Sequence, residues 1–269
     1  MIALKFVVKK DFVLQDILKS YSHYPPFWKL KKKAWEIDPH FYQILSQNLE
    51  ALIIEEGLER GVHAGTANVD KNLATLYRTP QFTVSFRQAE RYGRAVESQW
   101  KKNYASSLRH LSDITGIDLS KIDREITIYI SHPRLSHGRS YLEEHAITWS
   151  HPDEWKNYAT VYLWHEIMHH VTADTRWSPH LMHSLIELAC DNELRIRLNG
   201  GGAYFKEKGI PMGHRYLVGL NKKLLPDWKK YLRSRDENIY QFEKRMRRKW
   251  RGEKLVRMPS ALGWWAEWH

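Results

Sequence analysis

Apolar and polar positions alternate over residues 2–8, IALKFVV, and that period of two predicts a short strand. The period then lengthens. IDPHFYQILSQNLEALIIEEGLERG reads as one helix, with Asp38 as N-cap, Pro39 in the first turn and Gly61 past its end. A second long helical pattern runs from about Arg87 to His110, so the first 115 residues are expected to be mostly helical. REITIYIS (124–131) returns to alternation and predicts a strand. GRSYL (138–142) and HAITWS (145–150) predict two more, with Glu143 and Glu144 near the turn between them. Ser150 as N-cap and Pro152 in the first turn then predict a helix ending near Val171. After TADTRW, Ser178 and Pro179 repeat that start signal for a helix from Pro179 to Leu198, stopped by NGGG. Two helices joined so closely are expected to pack antiparallel.

The chain has 269 residues, 42% of them hydrophobic and 13% aromatic, with 12 Trp. That suffices for a sizeable core and argues against disorder. No apolar run approaches the roughly 20 residues of a membrane span. The start, MIALKFVVKKDFVLQD, lacks the features of a secretory signal, and the single cysteine, Cys190, has no internal partner for a disulfide. Both point to a cytoplasmic protein. Cys190 itself reads as a small buried helix residue and not as a nucleophile.

Charge is uneven. Residues 221–257 hold 14 Lys and Arg against five acidic residues, which accounts for most of the chain's net +11. The expected organisation is a mostly helical region over 1–115, a core over 116–220 and a basic helical extension over 221–269.

The chemistry concentrates in YLWHEIMHHV (162–171). H-E-x-x-H alone is a weak signal in a chain with 15 histidines, so its context decides. Four residues apart on a helix, His165 and His169 share a face and can share one ion, and two imidazoles suit zinc. Glu166 flanks them without taking a ligand position and can act as general base. A catalytic zinc requires a third protein ligand. The next helix offers IELACDNEL, where Glu187 and Asp191 share a face and Glu193 points elsewhere. Glu187 is assigned as third ligand, and Asp191 as the acceptor that fixes a ligand ring, His165. GIPMG and NGGGA read as turns, since neither has the pattern of a phosphate loop.

HEIMH followed by ELACD resembles the gluzincin metallopeptidases, the group that includes thermolysin, whose pattern is H-E-x-x-H on one helix and E-x-x-x-D on the next. Here 17 residues separate His169 from Glu187, slightly tighter than the thermolysin-like spacing. The resemblance covers about residues 124–198. It implies an α+β fold with a small antiparallel or mixed sheet, an edge strand packed on the active-site helix and a glutamate helix. It also implies peptide-bond hydrolysis by zinc-bound water, with His165, His169 and Glu187 as ligands and Glu166 as base. A His or Tyr beyond the second helix is then expected to stabilise the oxyanion. His214, Tyr216 and Tyr204 are the candidates, and His214 is placed first because GHRYL follows a Gly-rich turn.

Two other readings stand beside this one. A structural zinc site is closed by four protein ligands. His170 points about 100° away from His169 and fits poorly, whereas His180 and His183 remain open as a fourth. The basic segment supplies the other. In ENIYQFEKRMRRKW, Ile239, Phe242, Met246 and Trp250 fall at helical spacing, so the basic residues form either the solvated face of a docked helix or a patch for nucleic acid or an anionic membrane. Trp28, Lys29, Lys31, Lys32, Lys33 and Trp35 form a smaller cluster of the same kind. The competing function is therefore a nucleic-acid-associated protein with a structural zinc site. The terminal GWWAEWH reads as an aromatic clamp or a partner-binding end.

Overall fold

Strand β1 (Ile2–Val7) forms where the sequence alternates, and three further strands complete a small mixed sheet in the order β1-β2-β4-β3. The structure, a computed structural model, describes residues 2–47, 49–55, 68–135, 137–152, 154–173, 178–234 and 236–251. Gly61, most of the TADTRW connection and the terminal GWWAEWH lie outside the described residues. The fold is α+β. Among the described residues no helix is long and apolar enough to cross a membrane.

Contacts divide the chain into two compact units that do not follow sequence order. One comprises Ala3–Ser98 and Glu125–Pro152, the other Met1–Ile2, Gln99–Arg124 and Asp153–His269. Boundaries at 115/116 and 220/221, expected from texture, do not coincide with this division. The reason is physical: strand burial recruits 125–152 to the N-terminal helices, and apolar stripes recruit the C-terminal helices to the motif helices.

In the first unit, β2 (Arg124–Ile130) pairs parallel with β4 (Ala146–Ser150), Thr127 opposite Ala146 and Ile130 opposite Trp149. β3 (His137–Tyr141) pairs antiparallel with β4. Every residue of β4 is buried, as befits a strand with neighbours on both sides. The helices are α1 (Lys10–Lys19), α2 (Pro25–Ile37), α3 (Pro39–Leu45), α4 (Glu50–Glu55) and α5 (Val69–Tyr77). Phe12, Phe27, Phe41, Phe82, Tyr129 and Tyr141 share their core.

The single helix expected from Asp38 onward is two. Asp38 does cap α3, its Oδ1 accepting from the backbone N–H of His40 at 2.9 Å and of Phe41 at 3.2 Å. The helix then stops at Ser46, whose hydroxyl bonds back to the Gln43 carbonyl, and the buried Gln15 side chain takes the Gln47 carbonyl at 2.5 Å. Polar side chains thus compete with the helical ladder at SQN. The next helix, α6 (Pro80–Thr115), is longer than expected at both ends. Thr79 caps it through its hydroxyl, which accepts from Phe82 N at 3.2 Å, with Pro80 in the first position.

In the second unit, the motif helix α7 (Tyr158–Thr172) starts six residues later than Pro152 suggests, because Ser150 stays in β4 and turns fill 155–157. Trp164 fixes its rotation: the indole is fully buried against Trp100 and Tyr104, and its N–H donates to the Ser107 hydroxyl at 2.7 Å. α8 (Pro179–Glu187) runs into a π-helical stretch, Leu188–Leu194, and then α9 (Arg195–Asn199), which ends at Gly200 in the left-handed conformation. A two-residue-per-strand hairpin, β5 (Lys206–Glu207) and β6 (Ile210–Pro211), leads to α10 (Val218–Ser234) and α11 (Ile239–Lys249).

α11 docks its apolar stripe: Ile239, Phe242 and Met246 are fully buried, and Phe242 packs on Trp228 and Tyr231. Its Tyr240 hydroxyl donates to the Val171 carbonyl at the end of α7, and the buried Glu243 carboxylate accepts from Ser178 N at the start of α8. The C-terminal helix is therefore part of the frame that holds the motif helices, and not a separate extension.

Candidate metal centre

Apolar residues on α7 put His165 at the buried side, with Leu163, Trp164, Ile167 and Met168 around it in sequence, all fully or nearly fully buried. His165 and His169 are one turn apart, and their Nε2 atoms lie 3.2 Å from each other. Two imidazole nitrogens on one tetrahedral zinc, each at 2.0–2.1 Å, stand about 3.3 Å apart, so the spacing suits a shared ion.

Behind His165, both Asp191 oxygens approach Nδ1, at 3.0 and 3.1 Å. A carboxylate can only accept, so Nδ1 carries the hydrogen and Nε2 is left to face His169. The π-helical stretch positions Asp191. Its wider turn is pinned by the Asn192 amide on the Glu187 carbonyl at 2.9 Å and by the buried Arg195, whose Nε donates to the Asp191 carbonyl at 2.8 Å. π turns of this kind recur at functional sites.

Glu187 ends α8, fully buried, with both carboxylate oxygens hydrogen-bonded. Oε1 accepts from the backbone N–H and from Nδ1 of His214, both at 2.6 Å, and Oε2 accepts from the Asn221 amide. Gly213 is required there. Its φ is +78°, and a Cβ would sit 2.6 Å from Glu187 Oε2.

His183, one turn before Glu187, completes the group. Donor atoms of His165, His183 and His214 all lie within 4.8 Å of one another, close enough to hold a metal ion. The His183 ring is 4.7 Å from that of His169, 5.2 Å from His165 and 4.6 Å from His214. Its Nδ1 faces the Tyr216 hydroxyl at 3.4 Å, while its Nε2 is buried with no hydrogen-bond partner among the described residues and stands 4.0 Å from Glu187 Oε1.

Electrostatics separate the imidazoles. Burial opposes charge on His165, but the Asp191 charge and hydrogen bond outweigh it, with Glu166 and Glu187 adding, and the ring rises to about 9. Burial pushes His169 and His183 well below the ordinary value, and the neighbouring histidines push them further. Both are thus held neutral, the form that donates a lone pair to a metal.

The structure therefore brings together His165, Glu166 and His169 on α7, Glu187 and Asp191 from the next helix, and His214 from the loop before α10. Tyr216 joins them, its ring 5.5 Å from His214. Tyr204 does not: its hydroxyl donates to Glu193, which also takes Arg197 Nε at 2.9 Å. The His180 ring lies 6.2 Å from that of Tyr216, and His170 is fully buried. In the sequence His183 stands only as an open candidate, with His180, for the fourth ligand of a structural site. Its signal was the four-residue step to Glu187. Asn221 carries no signal in sequence; only the fold brings it to Glu187. Comparison of the chain with protein-family models, with curated proteins and with solved structures finds no match.

Proposed function

We propose that this protein is a zinc-dependent hydrolase acting on peptide bonds. The observation that carries the reading is the convergence of the His165 and His169 Nε2 atoms, 3.2 Å apart on one helix face, with Asp191 fixing the first ring from behind. The buried His183 Nε2 beside them, without a hydrogen-bond partner among the described residues, adds a donor atom that an ion would satisfy. His165 and His169 would hold the metal, with the third donor from α8, where the gluzincin resemblance nominates Glu187.

Bound zinc supplies a water activated near neutral pH and a Lewis acid for the scissile carbonyl. Glu166, adjacent to His165 in the chain, takes a proton from the attacking water and returns it to the leaving amine. His214, whose Nδ1–H is held by Glu187, would stabilise the developing oxyanion through an Nε2–H, which requires the doubly protonated ring. Asp191 holds His165 by Nδ1 and turns Nε2 towards His169; because the ring is raised to about 9, a metal there would have to displace the Nε2 proton.

The test is cleavage of peptide or casein-like substrates by the zinc-loaded protein beside Glu166→Gln. Activity is expected to drop by about 10²-fold or more, with zinc content unchanged. Full activity in Glu166→Gln contradicts the proposed base.

A nucleic-acid-associated role is the second reading, favoured by the exposed Trp28, Lys29, Lys32, Lys33 and Trp35 on α2. The basic helix α11 supports it less, since Arg245 pairs with Glu237 and Lys249 with Asp227 within the chain. Steeply salt-dependent nucleic-acid binding, unchanged in Glu166→Gln and without peptide cleavage, would select it.

A further inference from the structure

We propose that His183 is the third metal donor of this centre, through Nε2, and that Glu187 serves the site by holding His214. The inference rests on the zinc reading above and changes its ligand set from two imidazoles and a carboxylate to three imidazoles.

Availability decides between the two residues. His183 and Glu187 stand one turn apart on α8, so the same helix face presents both. Every close interaction of the Glu187 carboxylate is with a donor already in place: His214 N and Nδ1 at 2.6 Å on Oε1, and Asn221 on Oε2. Gly213 closes against it, with no space for even a methyl group. Three of the roughly four lone-pair sites of Glu187 are thereby taken, two on Oε1 and one on Oε2, so a metal would compete there with donors already in place. His183 would give up no hydrogen bond at Nε2, which is buried, has no hydrogen-bond partner among the described residues and lies 4.0 Å from Glu187 Oε1.

The other nitrogen agrees. A ligating imidazole has its second nitrogen fixed by an outer partner. Asp191 does this for His165, and the Tyr216 hydroxyl, 3.4 Å from Nδ1, does it for His183. The His183 ring also lies closer to the His165 ring, at 5.2 Å, than the His214 ring does, at 6.0 Å. His214, the more exposed side chain of the two, is held by Glu187 and would serve a substrate group and not the metal.

The experiment measures zinc affinity of the full-length protein by competition with a chromophoric chelator, for wild type, His183→Ala, His183→Asn and Glu187→Gln. Circular dichroism of each chain checks folding, and His183→Asn covers the case in which the alanine variant fails to fold. Both His183 variants are expected to bind zinc more than about 100-fold more weakly, beyond the 10–100-fold that an outer partner costs, and Glu187→Gln less than about tenfold. In the cobalt-loaded protein, the visible bands are expected to change in His183→Asn and to stay in Glu187→Gln. Wild-type affinity in a folded His183 variant, with zinc lost in Glu187→Gln, overturns the inference and leaves the zinc hydrolase reading standing. A wild type that binds no zinc overturns that reading and the inference together.

Discussion

His132 shows how single residues are fixed here by their partners. Its Nδ1 accepts from Arg134 N at 3.2 Å, so the hydrogen sits on Nε2, which then donates to Gln88 Oε1 at 2.7 Å. A second proton would destroy the first of these bonds. Burial, with the Arg134 charge adding, accordingly lowers the ring to about 4. An unfolded histidine titrates near 6.5, so between about pH 6.5 and pH 4 the unfolded chain takes up a proton that the folded chain does not. The stabilisation is complete above about 6.5 and is lost as pH falls towards 4, by at most about 1.4 kcal/mol per pH unit. Urea unfolding of wild type and His132→Asn between pH 7 and pH 4 should show the stability difference narrowing on acidification. A constant difference across that range would refute the assignment. At the candidate centre, what could be read from sequence followed helical spacing. Four-residue steps related His165 to His169 and Glu187 to Asp191. The partner of Glu187 could not be read, because Asn221 and Gly213 reach it only through the turn before α10.

At the scale of elements, caps and periodicity were legible wherever the side chains have one use. Asp38 precedes Pro39, and its carboxylate does bond the first turn of α3. β1 to β4 follow alternating stretches closely. Periodicity misled where a polar side chain had a competing partner, as at Ser46 and Gln47, or where an apparent start signal lay in a strand, as at Ser150. The π-helical stretch Leu188–Leu194 was invisible, since its composition, LACDNEL, is that of an ordinary helix. For α11, Asn238 and Gln241 form a reciprocal capping box, the Asn238 side chain accepting at 3.1 Å and the Gln241 side chain taking Asn238 N at 2.8 Å. Replacing Asn238 by Ala is expected to cost about 1 kcal/mol in equilibrium unfolding. Because Glu243 on the same helix caps the start of α8, zinc affinity should weaken with it. Unchanged stability in Asn238→Ala would show that α11 is held by its apolar stripe alone.

For the whole molecule, chain order is a poor guide to assembly. The texture of the sequence changes near residue 116, yet strands 125–152 join the N-terminal helices, while residues 99–115 of the long helix α6 join the unit that carries the candidate metal centre. Sequence periodicity records which face of an element is apolar but not which distant element covers it. The net charge follows a similar logic: much of the basic excess of α11 lies on the solvent side of a docked helix, beside acidic partners in the same chain. The central claim, however, is that the imidazoles of α7 and α8 exist to hold an ion. Metal content decides it most directly, as zinc per chain in the purified wild type beside a His165→Ala, His169→Ala double variant prepared identically. About one zinc per wild-type chain is expected, and essentially none in the folded double variant. A folded wild type that takes up no zinc, even when zinc is supplied, would contradict it.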